Sequence, residues 1–122
     1  MSLLRPLDPS FPIERQIAIG AGPVVLVNVI TLDKADEQTF LKTWQDDAAF
    51  MKRQLGFIST QLHRALGESP TYFNYAVWES TAHYRAAFGH PEFRAKLSSH
   101  PSSVVASPHL FQKVAMPNIC VA

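Results

Sequence analysis

Cysteine is nearly absent from this chain. Cys120 is the single one in 122 residues, and a lone thiol closes no internal disulfide, which suits a reducing compartment. An excess of either charge is also missing. Eleven basic residues stand against ten acidic ones, scattered along the chain, whereas nucleic acid needs a concentrated basic face. No apolar run is long enough to span a bilayer. The start, Met1-Ser-Leu-Leu-Arg-Pro, lacks the apolar centre of a signal peptide. The expectation is therefore a cytoplasmic protein with neither nucleic acid nor membrane as partner. Glycine is sparse, five in all, and no Gly-rich strand-to-helix turn offers a dinucleotide site. The histidines at 63, 83, 90, 100 and 109 include no i,i+4 pair and no Cys or carboxylate grouping typical of metal sites. No cofactor and no metal are expected.

What is present is an apolar fraction of 47% with 17% charged residues, the balance of one compact domain. Residues 1–22 carry Pro6, Pro9 and Pro12 and a Gly20-Ala-Gly22 break before Pro23, and read as an extended arm. Within it, residues 13–19 have the option of an edge strand. Residues 23–116 read as the folded domain and 117–122 as a tail. Val24–Leu32 is a β-branched, nearly continuous apolar strand interrupted by one strongly polar residue, Asn28. Asp33 offers an N-cap with Asp36 and Glu37 in the first helical turn. Phe40, Leu41, Trp44, Ala48, Met51 and Leu55 then form one apolar stripe at helical spacing, taken as core, and Gly56 ends the helix.

Residues 57–66 read as a second strand, joined by the Gly67–Pro70 turn to a third, antiparallel one. In that third strand Tyr72, Asn74, Ala76 and Trp78 share one face and Phe73, Tyr75 and Val77 the other. Asn74 and Trp78 are then about 13 Å apart along the strand. Ser80 is placed to cap a helix on which Tyr84 and Phe88, four apart, lie on one side. Pro91 opens a further short helix, on which Phe93 and Leu97 compete with Arg94 for the inward-facing positions. Residues 98–108, rich in Ser, Pro and His, read as a loop, and 109–115 as the last strand. The order β-α-β-β-α-β is the ferredoxin-like α+β sandwich, an antiparallel sheet with helices on one face. The other face would carry Phe73, Tyr75 and Val77, an apolar surface that a homodimer closing sheet against sheet, a dimeric α/β-barrel, would cover.

Val24–Leu32, the Leu55-Gly-Phe-Ile turn, Leu62-His63-Arg and above all Asn74-Tyr-Ala-Val-Trp78-Glu-Ser resemble the antibiotic biosynthesis monooxygenase family over about residues 23–115. The likeness is strongest to its cofactor-free, quinone-forming branch in actinorhodin biosynthesis. Carried over residue by residue, the resemblance implies an active-site amide at Asn74, an indole at Trp78, a phenol at Tyr84 and an arginine at Arg94. It also matches His63 to a strand-two histidine. Asn28, His63 and Phe88 complete the candidate substrate-binding set. Haem-degrading members match less well: Asn28 fits their first-strand Asn, but their Trp and haem-ligating His fall on Ala87 and Leu97, which cannot serve haem chemistry.

The implied activity is a cofactor-independent oxidation, by molecular oxygen, of a phenolic or hydroquinone aromatic resembling a polyketide, giving a quinone. Without metal or flavin the electrons must come from the substrate. The protein then has to bind a flat ring, steady negative charge and supply a proton to a developing peroxide. Each candidate also has a structural reading. Trp78 at a strand end suits core or interface, Arg94 a solvated helix face, and His63 a polar strand position. A mid-strand amide such as Asn74 or Asn28 costs about 1–3 kcal/mol if it is buried without a partner. A non-catalytic dimeric α/β-barrel that binds a small aromatic therefore stands as the alternative, since both need an apolar slot with a few polar groups.

Overall fold

The computed structural model describes residues 3–122, so the first two residues of the arm lie outside the described residues. Four strands, β1 (Val24–Thr31), β2 (Phe57–Arg64), β3 (Thr71–Trp78) and β4 (Val105–Phe111), form one antiparallel sheet in the order β2-β3-β1-β4. The helices are α1 (Ile13–Gln16), α2 (Glu37–Lys52), α3 (Thr81–Phe88) and α4 (Pro91–Lys96), with short 3-10 turns at Lys34–Asp36 and Leu97–Ser99. This is the βαββαβ order expected, and it gives a ferredoxin-like α+β fold. No helix among the described residues is long and apolar enough to cross a membrane.

Two-residue periodicity divides the sheet cleanly. Val24, Leu26 and Ile30 of β1 and Tyr72, Ala76 and Trp78 of β3 are buried on the helix side. On the other side Phe73 and Tyr75 remain 37% and 39% exposed, joined by Ile58 and Phe111. A bulge between Phe57 and Ser59 shifts the β2 register, which places Thr60 and Leu62 on the helix side of the sheet. In α2 the stripe holds in part. Phe40 is buried together with Phe50, but Leu55 lies beyond the helix end and is 85% exposed. Gly56 adopts φ +84°, and a Cβ there would meet the His83 ring at 2.2 Å. Only glycine allows that turn to tuck beneath α3.

Local details depart from expectation in three places. Residues 13–19 do not form an edge strand. Ile13–Gln16 make one helical turn that buries Ile13 and Gln16, because Pro12 presets the turn at its N-cap. Gln16 is polar and buried, yet fully engaged: its Nε2 donates to Phe11 O and meets His109 Nδ1, and its Oε1 accepts the Leu110 N–H at 2.7 Å. Asp33 does not cap α2. A 3-10 turn intervenes, and α2 begins at Glu37, while the Asp36 carboxylate accepts from Ser103 Oγ. The last strand starts at Val105 rather than at residue 109. Its Ser107 and Pro108 read as loop in the sequence, but β4 pairs with only one sheet strand, and proline is tolerated where a strand is not central.

The arm runs beside the free side of β4. Leu4 makes a parallel bridge to Ala106; the Arg5 N–H donates to Ala106 O and the Ala106 N–H to Leu3 O, both at 2.8 Å. At the other end of the arm the chain passes against the β3–α3 turn so closely that a Cβ on Gly22 would lie 2.3 Å from Glu79 O. The Thr81 N–H closes that contact on Ala21 O at 2.8 Å.

Candidate functional site

Between the sheet and its helices lies a cavity of about 100 Å³. The sheet supplies its floor: Asn28 on β1 and Asn74 on β3 are direct partners in the ladder, and both line it with Trp78. The helices supply the roof through Trp44, Ala48 and Met51 of α2 and Tyr84 and Phe88 of α3. Trp44 and Met51, expected as core, are thus cavity wall. Leu3 and Leu4 of the arm and Phe93 and Leu97 close other sides.

Ser80 positions Tyr84 by capping α3. Its Oγ accepts the His83 N–H at 3.2 Å and meets His83 Nδ1 at 2.7 Å, which starts the helix as β3 leaves the sheet. Tyr84 then sits one turn in, packed edge-on to Trp78 with ring centroids 5.7 Å apart and stacked on Phe88 at 5.5 Å. Phe57 also meets the indole, at a right angle. Burial pushes the Tyr84 hydroxyl above the ordinary phenol range, with Arg94 opposing the shift and Glu14 adding to it. Among the described residues no side chain takes the Tyr84 hydroxyl or the Trp78 indole N–H as a hydrogen-bond partner. The two amides differ. Asn74 Oδ1 accepts from Thr60 Oγ1 at 2.5 Å, while Asn28 Oδ1 is buried without a partner.

Of the seven candidates, the structure brings Asn28, Asn74, Trp78, Tyr84 and Phe88 to this one cavity. Arg94 is not among its lining residues. It is exposed on α4 with its guanidinium 4.3 Å from the centroid of Phe88, because Phe93 and Leu97 take the inward positions. His63 lies on the opposite sheet face, exposed and stacked on Phe73 at 4.3 Å. Two-residue alternation in β2 sends it there once the bulge is passed.

Sequence reasoning missed a polar pair in the wall. Asp47 on α2 and His100, after the Leu97–Ser99 turn, both line the cavity, with His100 Nε2 2.6 Å from Asp47 Oδ2 and side chains only 6% and 15% exposed. They are 53 residues apart, so no local spacing announces them; the one available signal was Asp47 lying a turn beyond Trp44 on the inward side of α2.

The family model for antibiotic biosynthesis monooxygenases matches residues 23–96. Among solved structures, the chain is similar to SnoaB, a cofactor-independent oxygenase from Streptomyces nogalater. The two share 26% identity and a TM-score of 0.72, over 80% of this chain and 99% of that one. A candidate monooxygenase from Shewanella loihica PV-4 gives 26% identity and a TM-score of 0.67 over the same shares. A protein of Mycobacterium tuberculosis, at 10% identity and a TM-score of 0.63 over 79% of this chain and 99% of its own, shares the fold. No curated protein matches the sequence significantly.

Proposed function

Because the chain belongs to the antibiotic biosynthesis monooxygenase family, we propose that its cavity oxidises a phenolic or hydroquinone aromatic with molecular oxygen to a quinone, without a cofactor. The observation that carries this reading is the pair of unpartnered donors, the Trp78 N–H and the Tyr84 hydroxyl, beside two carboxamides in an otherwise apolar chamber. For a phenol the balance is simple. The ionised ring passes one electron to oxygen, and the resulting pair combines at the ring carbon opposite the hydroxyl. Loss of water from that hydroperoxide leaves the quinone, so one oxygen atom enters the ring and the other leaves as water.

In this scheme the side chains bind and move protons rather than electrons. Asn74, whose Oδ1 is committed to Thr60, offers its NH2 group to the ring oxygen, where charge develops. Trp78 and Tyr84 offer donors to the peroxide. Burial disfavours the Tyr84 phenolate, so the hydroxyl keeps its proton at neutral pH and faces the peroxide as a hydrogen-bond donor. The aromatic walls at Phe88 and Trp44 supply the slot for a flat ring. Arg94, above the outer side of Phe88, has no part in this scheme.

The similarity to a cofactor-independent oxygenase of Streptomyces nogalater supports the same reading. The homodimer belongs to it as well: the sheet face bearing Phe73, Tyr75, Ile58 and Phe111 is the surface on which a second copy would close the barrel. Oxygen uptake by the chelated protein, offered a panel of naphthols and anthrones, tests the chemistry. One oxygen consumed per quinone formed is the expected result. Tight binding of the same compounds with no uptake would instead leave the protein as a binder of small aromatics.

A further inference from the structure

The Asp47–His100 pair gives the cavity a charged end opposite to what a quinone needs. Both imidazole nitrogens are occupied: Nε2 meets Asp47 Oδ2 at 2.6 Å and Nδ1 meets Thr43 Oγ1 at 2.8 Å, with Thr43 in turn donating to Phe40 O. The ring is therefore a brace, fixed by α2 at both ends. The carboxylate is not used up by it: Asp47 lines the cavity, and among the described residues no hydrogen bond engages its second oxygen, Oδ1. An ionised carboxylate accepts and never donates. A further acceptor, Asn28 Oδ1, is buried in the chamber without a partner, beside the Trp78 and Tyr84 donors. Among the described residues no lysine or arginine lines the cavity.

We infer that Asp47, held by His100, is a subsite for a ligand hydroxyl, and that the cavity discriminates by oxidation state, taking the hydroxyl-bearing quinol or phenol in preference to the quinone. A hydroxyl placed there gives Asp47 a charge-assisted hydrogen bond, among the strongest that a neutral ligand can offer. A quinone carries acceptors only. Its carbonyl facing Asp47 sets lone pairs against lone pairs and takes water from a carboxylate that gains nothing in return, a loss larger than that of a missing contact. Oxidation thus turns a ligand that fits at Asp47 into one that Asp47 repels, so the reaction itself loosens its product. The identity of the ring rests on the oxygenase reading; the preference for donors over acceptors rests on Asp47.

The test is anaerobic calorimetric binding to the full chain carrying Cys120→Ser, which removes the exposed thiol that would add to a quinone. The ligands are naphthohydroquinone, naphthoquinone and the dimethyl ether of naphthohydroquinone, which has the ring and oxygens but no donor. The hydroquinone should bind at least about tenfold more tightly than either of the others, as a charge-assisted hydrogen bond allows. Asp47→Asn should bring hydroquinone and quinone within about threefold of one another, since the neutral amide both accepts and donates. Asp47→Ser serves if the amide variant does not fold. Equal affinities in the parent protein overturn the inference, as does an ether that binds like the hydroquinone, or a preference that survives in a folded Asp47 variant. The ether comparison needs no variant at Asp47. Because no oxygen is present, the outcome is independent of turnover: a chain that binds with this preference but consumes no oxygen fails only as an oxygenase. A chain that oxidises phenols without the preference fails only here.

Discussion

Thr60 and Asn74, on neighbouring strands, are joined by a hydrogen bond of 2.5 Å from the threonine hydroxyl to the amide oxygen. The orientation of the central amide is thus set from β2, by a residue that a bulge turns inward. Thr60→Val keeps the shape and removes the hydroxyl, so the amide is free to rotate. We expect turnover of a phenolic substrate to fall about tenfold, with a stability cost of about 1 kcal/mol for the lost bond. Asn74→Ala should fall further, by the roughly hundredfold typical of removing one donor to a developing oxyanion. Steady-state oxygen uptake and urea unfolding of the two variants measure both quantities.

Replacing the two unpartnered donors separates catalysis from binding. Trp78→Phe and Tyr84→Phe preserve aromatic bulk and remove an N–H or O–H. Their kcat should drop by about 10²-fold, the lower range for a positioned proton donor, while KM stays within about threefold. A parallel rise in KM and fall in affinity would assign both residues to binding alone.

The buried phenol of Tyr84 also marks the alkaline stability of the fold. Its pKa is raised by burial in the folded chain and close to 10 in the unfolded one. The folded state therefore keeps a proton that the unfolded state loses, and stability is complete below about pH 10 and declines above it. Tyr84→Phe has no such proton, so its unfolding midpoint should fall less steeply across that range. Thermal melts of the two proteins from neutral pH upward provide the comparison.

Assembly is tested on the outer sheet face. Light scattering at micromolar concentration should return twice the mass of one chain. Placing charge at its centre, as in Phe73→Asp with Tyr75→Lys, should return a single chain that keeps its secondary structure, since both residues are more than a third exposed in the isolated chain.

Much of this architecture was legible because local pattern and tertiary role agree. The alternation from Tyr72 to Trp78 gave a strand with the correct inward set, and Ser80 announced the helix that carries Tyr84. Agreement stops where local and global preferences diverge. Ser107 and Pro108 favour a loop by composition, and only their place beside β1 makes them strand. The family likeness offers Arg94, but Phe93 and Leu97, which compete with it by spacing, take the inward side of that helix. The same likeness matches His63 to the site, yet strand alternation turns it outward onto Phe73. His100 gave no signal and Asp47 only its place a turn beyond Trp44, because the two meet through the packing of α2 against the segment that follows α4.

The main-chain bonds between Leu3, Arg5 and Ala106 have a consequence for how this protein can be handled. The family match begins at residue 23, which invites a shortened chain starting there. Such a chain would lose Leu3 and Leu4 from the cavity wall and the buried Gln16 clasp on β4. It would also uncover the backbone groups of an outermost strand, the kind of open border onto which another molecule adds its own strand. The trimmed protein should then pass from a discrete species to growing aggregates, with the prolines at 6, 9 and 12 no longer present to interrupt strand addition along that border.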